Sequence, residues 1–344
     1  MRCQKCKGEA SVEIRRHHAA FCNEHFVEFF DRQVERSIEG ERMFTRDDRV
    51  LVVVSGGKDS LALWDVLRRL GYQTTGLYIN LGIGEYSHES QRKAEGYAAG
   101  QGAELLIADI PHDYGMSVED FARATGRVSC SACGLSKRYL FNRVAMDRGF
   151  PVVATGHNLD DEAAVLLGNL LHWQTEYLAR QAPVLQSTHP QFAKKVKPLY
   201  RIAERETAAY AVIRGIDYIV EECPNSVGAK SLLYKDALNL LEQAAPGTKQ
   251  SLYWGFLERG RPLVEALVSP SLRACIHCGQ PTTAEVCAFC RMTERAAERM
   301  RVRLALASST PGPTPTPGGG TPAGEDRPET PAPLAEVGRP GRPA

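Results

Sequence analysis

The stretch from Val50 to Leu67, VLVVVSGGKDSLALWDVL, constrains the fold more than any other. Four valines and a leucine run together at 50–54 without a polar residue between them. A strand exposed on one face alternates, so this run reads as a strand buried on both faces of a parallel sheet. After Lys58, apolar residues at Leu61, Leu63, Trp64, Val66, Leu67 and Leu70 fit a helix that stops at Gly71. Ser55, Gly56 and Gly57 therefore occupy a strand-to-helix turn, and Lys58, Asp59 and Ser60 open the helix. A helix N-terminus carries unpaired amides and partial positive charge, so such a turn is suited to an anion. A Walker loop needs four residues between its first glycine and Gly-Lys-Ser/Thr, and this loop lacks them. Asp59, directly after the lysine, suits a metal or ribose contact.

Further strand signals at 74–80, 104–109 and 151–155 alternate with helix signals. That alternation predicts an α/β fold, a doubly wound parallel sheet, with ligands at the carboxyl ends of the strands. Small cysteine-rich modules flank it. The expected division is an N-terminal zinc-binding module (1–27), a linking helix (28–48), a catalytic domain (49–222) and its helical extension (223–270). A C-terminal zinc ribbon and helix (271–305) follow, and then a disordered Pro/Gly/Thr-rich tail (306–344) that cannot bury a core.

The formal net charge is +1, which excludes a bulk polycation that coats nucleic acid. A nucleic-acid footprint must then be local. Candidates are Arg15, Arg16, His17 and His18; Lys194, Lys195 and Lys197; and Arg291, Arg295, Arg299, Arg301 and Arg303. No stretch approaches the roughly 18 uninterrupted apolar residues of a membrane span, and the N-terminus lacks the apolar core of a signal peptide. A cytoplasmic protein without membrane contact is expected. In that reducing compartment its ten cysteines argue for metal sites or catalysis rather than disulfides.

CIHCGQPTTAEVCAFC places Cys275, Cys278, Cys287 and Cys290 as two CxxC knuckles. Each knuckle aims two thiolates at one ion, and four thiolates close the tetrahedral zinc site of a ribbon. At the other end, Cys3 and Cys6 form one knuckle, and Cys22 with His25 repeats its spacing, which gives a Cys3His zinc site. His17 and His18 are rival fourth ligands outside the knuckle register. Four protein ligands leave no open coordination position, so both modules read as structural or docking elements.

Subtracting those seven cysteines leaves Cys130, Cys133 and Cys223. RVSCSACGLSKRYLF sets the first two just before an amphipathic helix, whose N-terminus favours thiolate, and Lys137 adds positive charge one turn on. Cys223 lies far away in EECPNS. Three thiolates could hold an iron–sulfur cubane with one iron free, or act as a nucleophile and resolving pair. In GHNLDDEA, Asp161 sits at the carboxyl end of a strand and is a candidate for magnesium or catalytic duty. Plain helix-terminus charge accounts for Asp160 and Glu162. His157 and Asn158 read as turn formers in preference to substrate contacts.

Together these residues resemble the tRNA two-thiolation enzymes of the PP-loop, or N-type ATP pyrophosphatase, superfamily. The resemblance spans roughly residues 1–300. It takes in both cysteine modules, SGGKDS, CSACGLSKR, GHNLDDEA, ECPN and KSLLYK. It implies that ATP adenylates the C2 oxygen of a uridine-type base, 5-methyluridine at position 54 of the tRNA T-loop, and that sulfur then displaces AMP. It implies a [4Fe–4S] cluster on Cys130, Cys133 and Cys223, catalytic roles for Lys137 and Asp161, and Mg2+. Residues Ser55 to Ser60 would grip the phosphates of ATP, while Val53, Ile79 and Gly156 would contact adenosine. The implied partners are tRNA, a ubiquitin-like thiocarboxylated sulfur carrier and a second copy of the chain. Alternatives are thiolation of the wobble uridine or of an anticodon-loop cytidine, a zinc-ribbon RNA-binding scaffold with regulatory ATP, and a PP-loop amidotransferase. The last would need a glutaminase domain that the sequence does not supply.

Overall fold

The structure, a computed structural model, describes residues 1–267 and 272–309, so most of the expected tail lies outside the described residues. Strands β1 (Val12–Ile14) and β2 (Ala19–Phe21) pair antiparallel ahead of helix α1 (Asn23–Gly40). Helix α1 buries Phe26, Phe29, Phe30, Val34 and Ile38 along one face. Then come β3 (Val50–Val53), α2 (Lys58–Arg69), β4 (Thr74–Asn80), α3 (Gly84–Gln101) and β5 (Leu105–Asp109). Helices α4 (Ile110–Tyr114), α5 (Val118–Thr125) and α6 (Ser129–Asp147) lead to β6 (Val152–Thr155) and α7 (Leu159–Leu171). The chain continues through α8 (Thr175–Ala179), β7 (Val184–Leu185), β8 (Lys194–Val196) and α9 (Glu204–Ile213). Helices α10 (Lys230–Ala244), α11 (Thr248–Gly255) and α12 (Arg261–Glu265) follow. A hairpin of β9 (Arg273–Ala274) and β10 (Pro281–Thr282) precedes the last helix, α13 (Ala288–Ser309).

The main sheet has the order β5-β4-β3-β6-β8-β7, parallel except for β7 at one edge. After β5 the chain returns to the other side of β3, so the topology switches between β3 and β6. In open α/β sheets the ligand crevice lies at such a point, beyond the carboxyl ends of the strands. Both faces of β3 are covered, which explains its unbroken apolar run. Val50, Val52 and Val54 pack with Phe30, Trp64, Val196 and Tyr210. Leu51 packs with Leu77, Phe121, Leu140, Val153 and Phe289 on the opposite side.

Strands β7 and β8 carry no readable sequence signal, because β8 is short and begins with two lysines. Their stems are used in packing. The Lys194 ammonium donates to the Met43 carbonyl at 2.8 Å, Lys197 pairs with the buried Glu162 at 2.7 Å, and Lys195 lies 4.7 Å from the centre of the Phe192 ring. The expected RNA-facing patch at 194–197 is thus corrected: Lys194 and Lys197 hold the fold together. Arg16 is corrected likewise, since it is buried against Glu206. Among the described residues no helix is long and apolar enough to cross a membrane.

Candidate active site

The loop after β3 is organised before any ligand arrives. The Ser60 hydroxyl accepts from the Ser55 amide at 3.0 Å and donates to the Gly57 carbonyl at 2.9 Å, which ties the loop across itself. Gly56 has φ +75°, and a Cβ there would lie 2.2 Å from the Ser90 carbonyl oxygen, so only glycine fits. Gly57 caps α2, and no side chain covers the first amides of that helix. Gly156, on the neighbouring β6 loop, has no room for a Cβ either: Asp59 and Ser60 backbone atoms would be 2.9 Å away. The two loops meet backbone to backbone at the switch point. Val53, at the end of β3, and Ile79, at the end of β4, lie against one apolar cluster beside them.

Six residues from four places in the chain close a ring of polar contacts at this crevice. Lys58 reaches Asp59 at 3.1 Å and Glu204 at 2.7 Å. Lys235 reaches the other Glu204 oxygen at 2.9 Å and Asp161 at 2.6 Å. Asn158 caps α7 on Asp161 and donates its side-chain amide to Asp59 at 3.1 Å, which completes the circuit. Burial, and then the Asp161 and Glu204 charges, push the Asp59 carboxyl up against the pull of Lys58. Burial also acts upward on Glu204, but Lys58 and Lys235 outweigh it and hold that carboxyl down at about 2. Asp161 was singled out from the sequence. Glu204 and Lys235 were not, although Lys235 ends the KSLLYK motif.

Asp160 and Glu162 are more than helix-terminus charge. Asp160 is buried, pairs with Lys249 and accepts the Glu204 amide at 2.9 Å. Glu162, also buried, accepts from Lys197 at 2.7 Å and from the Tyr253 hydroxyl at 2.9 Å. Lys249 and Tyr253, four residues apart on α11, share one face and clamp the acids on either side of Asp161. Three consecutive carboxylates therefore hold three lysines from different elements. Asn158 is the turn former that the sequence suggested, with the added duty toward Asp59.

Cys130 and Cys133 lie within the first turns of α6, rather than before it, and Cys223 faces them. The Cys130 thiol donates to the Asn225 carbonyl at 3.0 Å, and the Asn225 side chain donates to Glu119 at 2.9 Å. Burial pushes the Cys223 thiol up; Cys133 and Cys130 add to this, while Lys137 pulls it down. Lys137 thus lies within electrostatic reach of Cys223. All ten cysteines are free. This donor set suits a cubane held by three thiolates with one position lacking a protein ligand.

The terminal modules are packed more tightly. Cys3, Cys6, Cys22 and His25 form one group of donors within 4.8 Å of one another, and Cys275, Cys278, Cys287 and Cys290 form another. Sulfur–sulfur distances are 3.9 Å for Cys6–Cys22, 4.0 Å for Cys275–Cys290 and 3.8 Å for Cys278–Cys287. A tetrahedron with metal–sulfur bonds of about 2.3 Å has edges of about 3.8 Å, so both groups fit one zinc-sized ion each. His17, the rival ligand, packs edge-on against Phe29 instead. The C-terminal module rests on α6: Phe289 stacks on Tyr139 at 3.9 Å, and Arg143 reaches the Cys278 carbonyl.

Residues 27–227 match the PP-loop domain family, and residues 2–27 match the N-terminal LIM domain of the 2-thiouridine synthetase TtuA. Over 301 residues, 88% of this chain and 94% of the relative, the sequence is 55% identical to the tRNA-5-methyluridine(54) 2-sulfurtransferase of Thermus thermophilus. The chain belongs to the tRNA-5-methyluridine(54) 2-sulfurtransferase family. It is 45% identical to the 2-sulfurtransferase of Pyrococcus horikoshii, over 85% of this chain and 93% of that one. Among solved structures it resembles the U34-tRNA thiolase NcsA from Methanococcus maripaludis, which carries a [4Fe–4S] cluster. That likeness has a TM-score of 0.71 at 26% identity and covers 86% of this chain and 96% of NcsA. This 2-sulfurtransferase family member therefore shares its fold with a wobble-position enzyme and far more of its sequence with position-54 enzymes.

Proposed function

We propose that this chain is an ATP-dependent tRNA 2-sulfurtransferase that converts 5-methyluridine at position 54 to its 2-thio form. The 55% identity across 94% of the T. thermophilus 2-sulfurtransferase carries this reading. The polar ring at the switch point supports it. Amides at the N-terminus of α2, with Ser55, Gly56, Gly57, Lys58, Asp59 and Ser60, hold the ATP phosphates, while Val53, Ile79 and Gly156 border the adenosine. Asp59 and Asp161 would hold Mg2+, which would offset the charge of those phosphates. The base O2 attacks the α-phosphorus; a C2–O–P link forms, the Pα–O–Pβ bond breaks, and pyrophosphate leaves. Sulfur delivered as hydrosulfide then adds at C2 and gives its proton to solvent. The C2–O bond breaks and AMP departs with the oxygen. Lys137 neutralises the charge growing on the phosphate as that bond breaks.

Cys130, Cys133 and Cys223 would hold a [4Fe–4S] cluster, which supplies an iron without a protein thiolate where sulfide can be presented to C2. Zinc in Cys3, Cys6, Cys22 and His25, and in Cys275, Cys278, Cys287 and Cys290, is structural. Against the upward push of burial, backbone amides of Cys287, Cys278 and His277 bring the Cys275 thiol down to about 6, which favours the ligating thiolate. The sulfur comes from a ubiquitin-like protein ending in a thiocarboxylate, the enzyme works as a homodimer, and it resides in the cytoplasm. The fold shared with NcsA favours wobble uridine as the second reading. Anaerobic incubation with tRNA, ATP, Mg2+ and sulfide separates them. Digestion and mass spectrometry should give 2-thio-5-methyluridine mapped to position 54; thiolation at position 34 alone, or none, would overturn the proposal.

A further inference from the structure

The ring at the crevice contains two lysines, and only Lys58 belongs to the phosphate loop. Lys235 arrives on α10, beyond residue 227, where the PP-loop match ends. One carboxylate, Glu204, holds both ammoniums, Lys58 at 2.7 Å and Lys235 at 2.9 Å. Asp161 holds Lys235 from the other side at 2.6 Å. The Lys235 side chain is 20% exposed, and the carboxylates outweigh burial, so it stays protonated. Its helix is fixed. The neighbouring Tyr234 ring lies 2.8 Å from where a Cβ on Gly168 would sit, and Leu238 is buried with Ala163 and Ala164 of α7. A compact ammonium on a flexible stem, carried by an anchored helix, can exchange one oxyanion for another without moving the backbone.

We propose that Lys235 is a second phosphate-binding lysine, which leaves Glu204 and Asp161 for an oxygen of the departing pyrophosphate when ATP binds. This rests on reading the loop as the ATP site. Without nucleotide, Glu204 takes the place of that phosphate between the two lysines. Asp59, Asp161 and Glu204 against Lys58 and Lys235 leave the ring one charge negative. A metal-bound triphosphate therefore fits it better than a bare one, and the exchange frees Asp161 to face the metal. Lys235 holds the part of the nucleotide that AMP lacks.

Calorimetric titration of the full-length protein with Mg2+ and α,β-methylene-ATP, and separately with AMP, tests this. Lys235→Met should weaken binding of the ATP analogue about tenfold or more, the loss of a charge-assisted contact, while AMP binding stays unchanged. Lys235→Arg should recover most of the loss. Equal weakening of both nucleotides would assign Lys235 a merely structural role and overturn the proposal, as would unchanged binding of the analogue. Wild-type protein that binds neither nucleotide would instead bring down the ATP reading on which the proposal stands.

Discussion

Replacing Glu206 with leucine removes the partner of a buried guanidinium and tests how the N-terminal module is joined to the sheet. Arg16, from the turn between β1 and β2, and Glu206, in the first turn of α9, are each only 6% exposed. Arg16 Nη2 donates to Glu206 Oε2 at 2.8 Å, and that oxygen also accepts the Ala203 amide at 3.1 Å. Breaking a buried pair from one side leaves an uncompensated charge and costs about 3–5 kcal/mol. Losing the reciprocal contact at the helix start adds about 1 kcal/mol. At about 2 °C per kcal/mol for a chain of this size, scanning calorimetry of zinc-loaded protein should show Tm falling by roughly 8–12 °C. Arg16→Met combined with Glu206→Leu removes both charges and should recover more than half of that loss, because apolar replacement of a buried pair is often near neutral. A single-variant shift under about 2 °C, or a double variant no better than the single, would refute the buried-charge reasoning.

Gly156→Ala should abolish pyrophosphate release, because its Cβ meets the Asp59 and Ser60 backbone; wild-type release would show that the two loops can part. Tyr253→Phe leaves Glu162 short of one buried donor, and should cost about 1.5–3 kcal/mol in urea unfolding while both zinc ions remain bound. Burial depresses Lys195 to about 8, so the unfolded chain binds more protons between pH 8 and 10.5 and stability rises with pH across that window. Lys195→Met should raise Tm at pH 7 and remove that rise; a lower Tm would count against it. Cys275→Ser should reduce bound zinc from about two to about one per chain by elemental analysis, one closed site being lost.

Much of the fold could be read from the chain because β3, β4 and β6 are largely buried and announce themselves by their apolar residues, while β5, at the sheet edge with Ile107 exposed, still carries a short apolar run. Strand β8 was unreadable, since its lysines point their stems into the structure and find acceptors that only the folded chain provides, Met43 and Glu162. The cysteine modules were readable because knuckle spacing is local. Glu204 and Lys235 were not: each looks like ordinary surface charge until α7, α9 and α10 bring them to Lys58. The same holds for Asp160 and Glu162, whose lysine partners lie on other elements. A long-range ion pair leaves no periodicity behind.

If the chain thiolates position 54, the nucleosides of tRNA from cells lacking its gene will show it. Total tRNA from the deletion strain should lose 2-thio-5-methyluridine, accumulate 5-methyluridine at position 54 and keep its wobble thiolation. Restoring the wild-type gene should bring the thionucleoside back, and a Cys223→Ala copy should not. Unchanged 2-thio-5-methyluridine in the deletion strain, or loss of wobble thiolation in its place, would contradict the account.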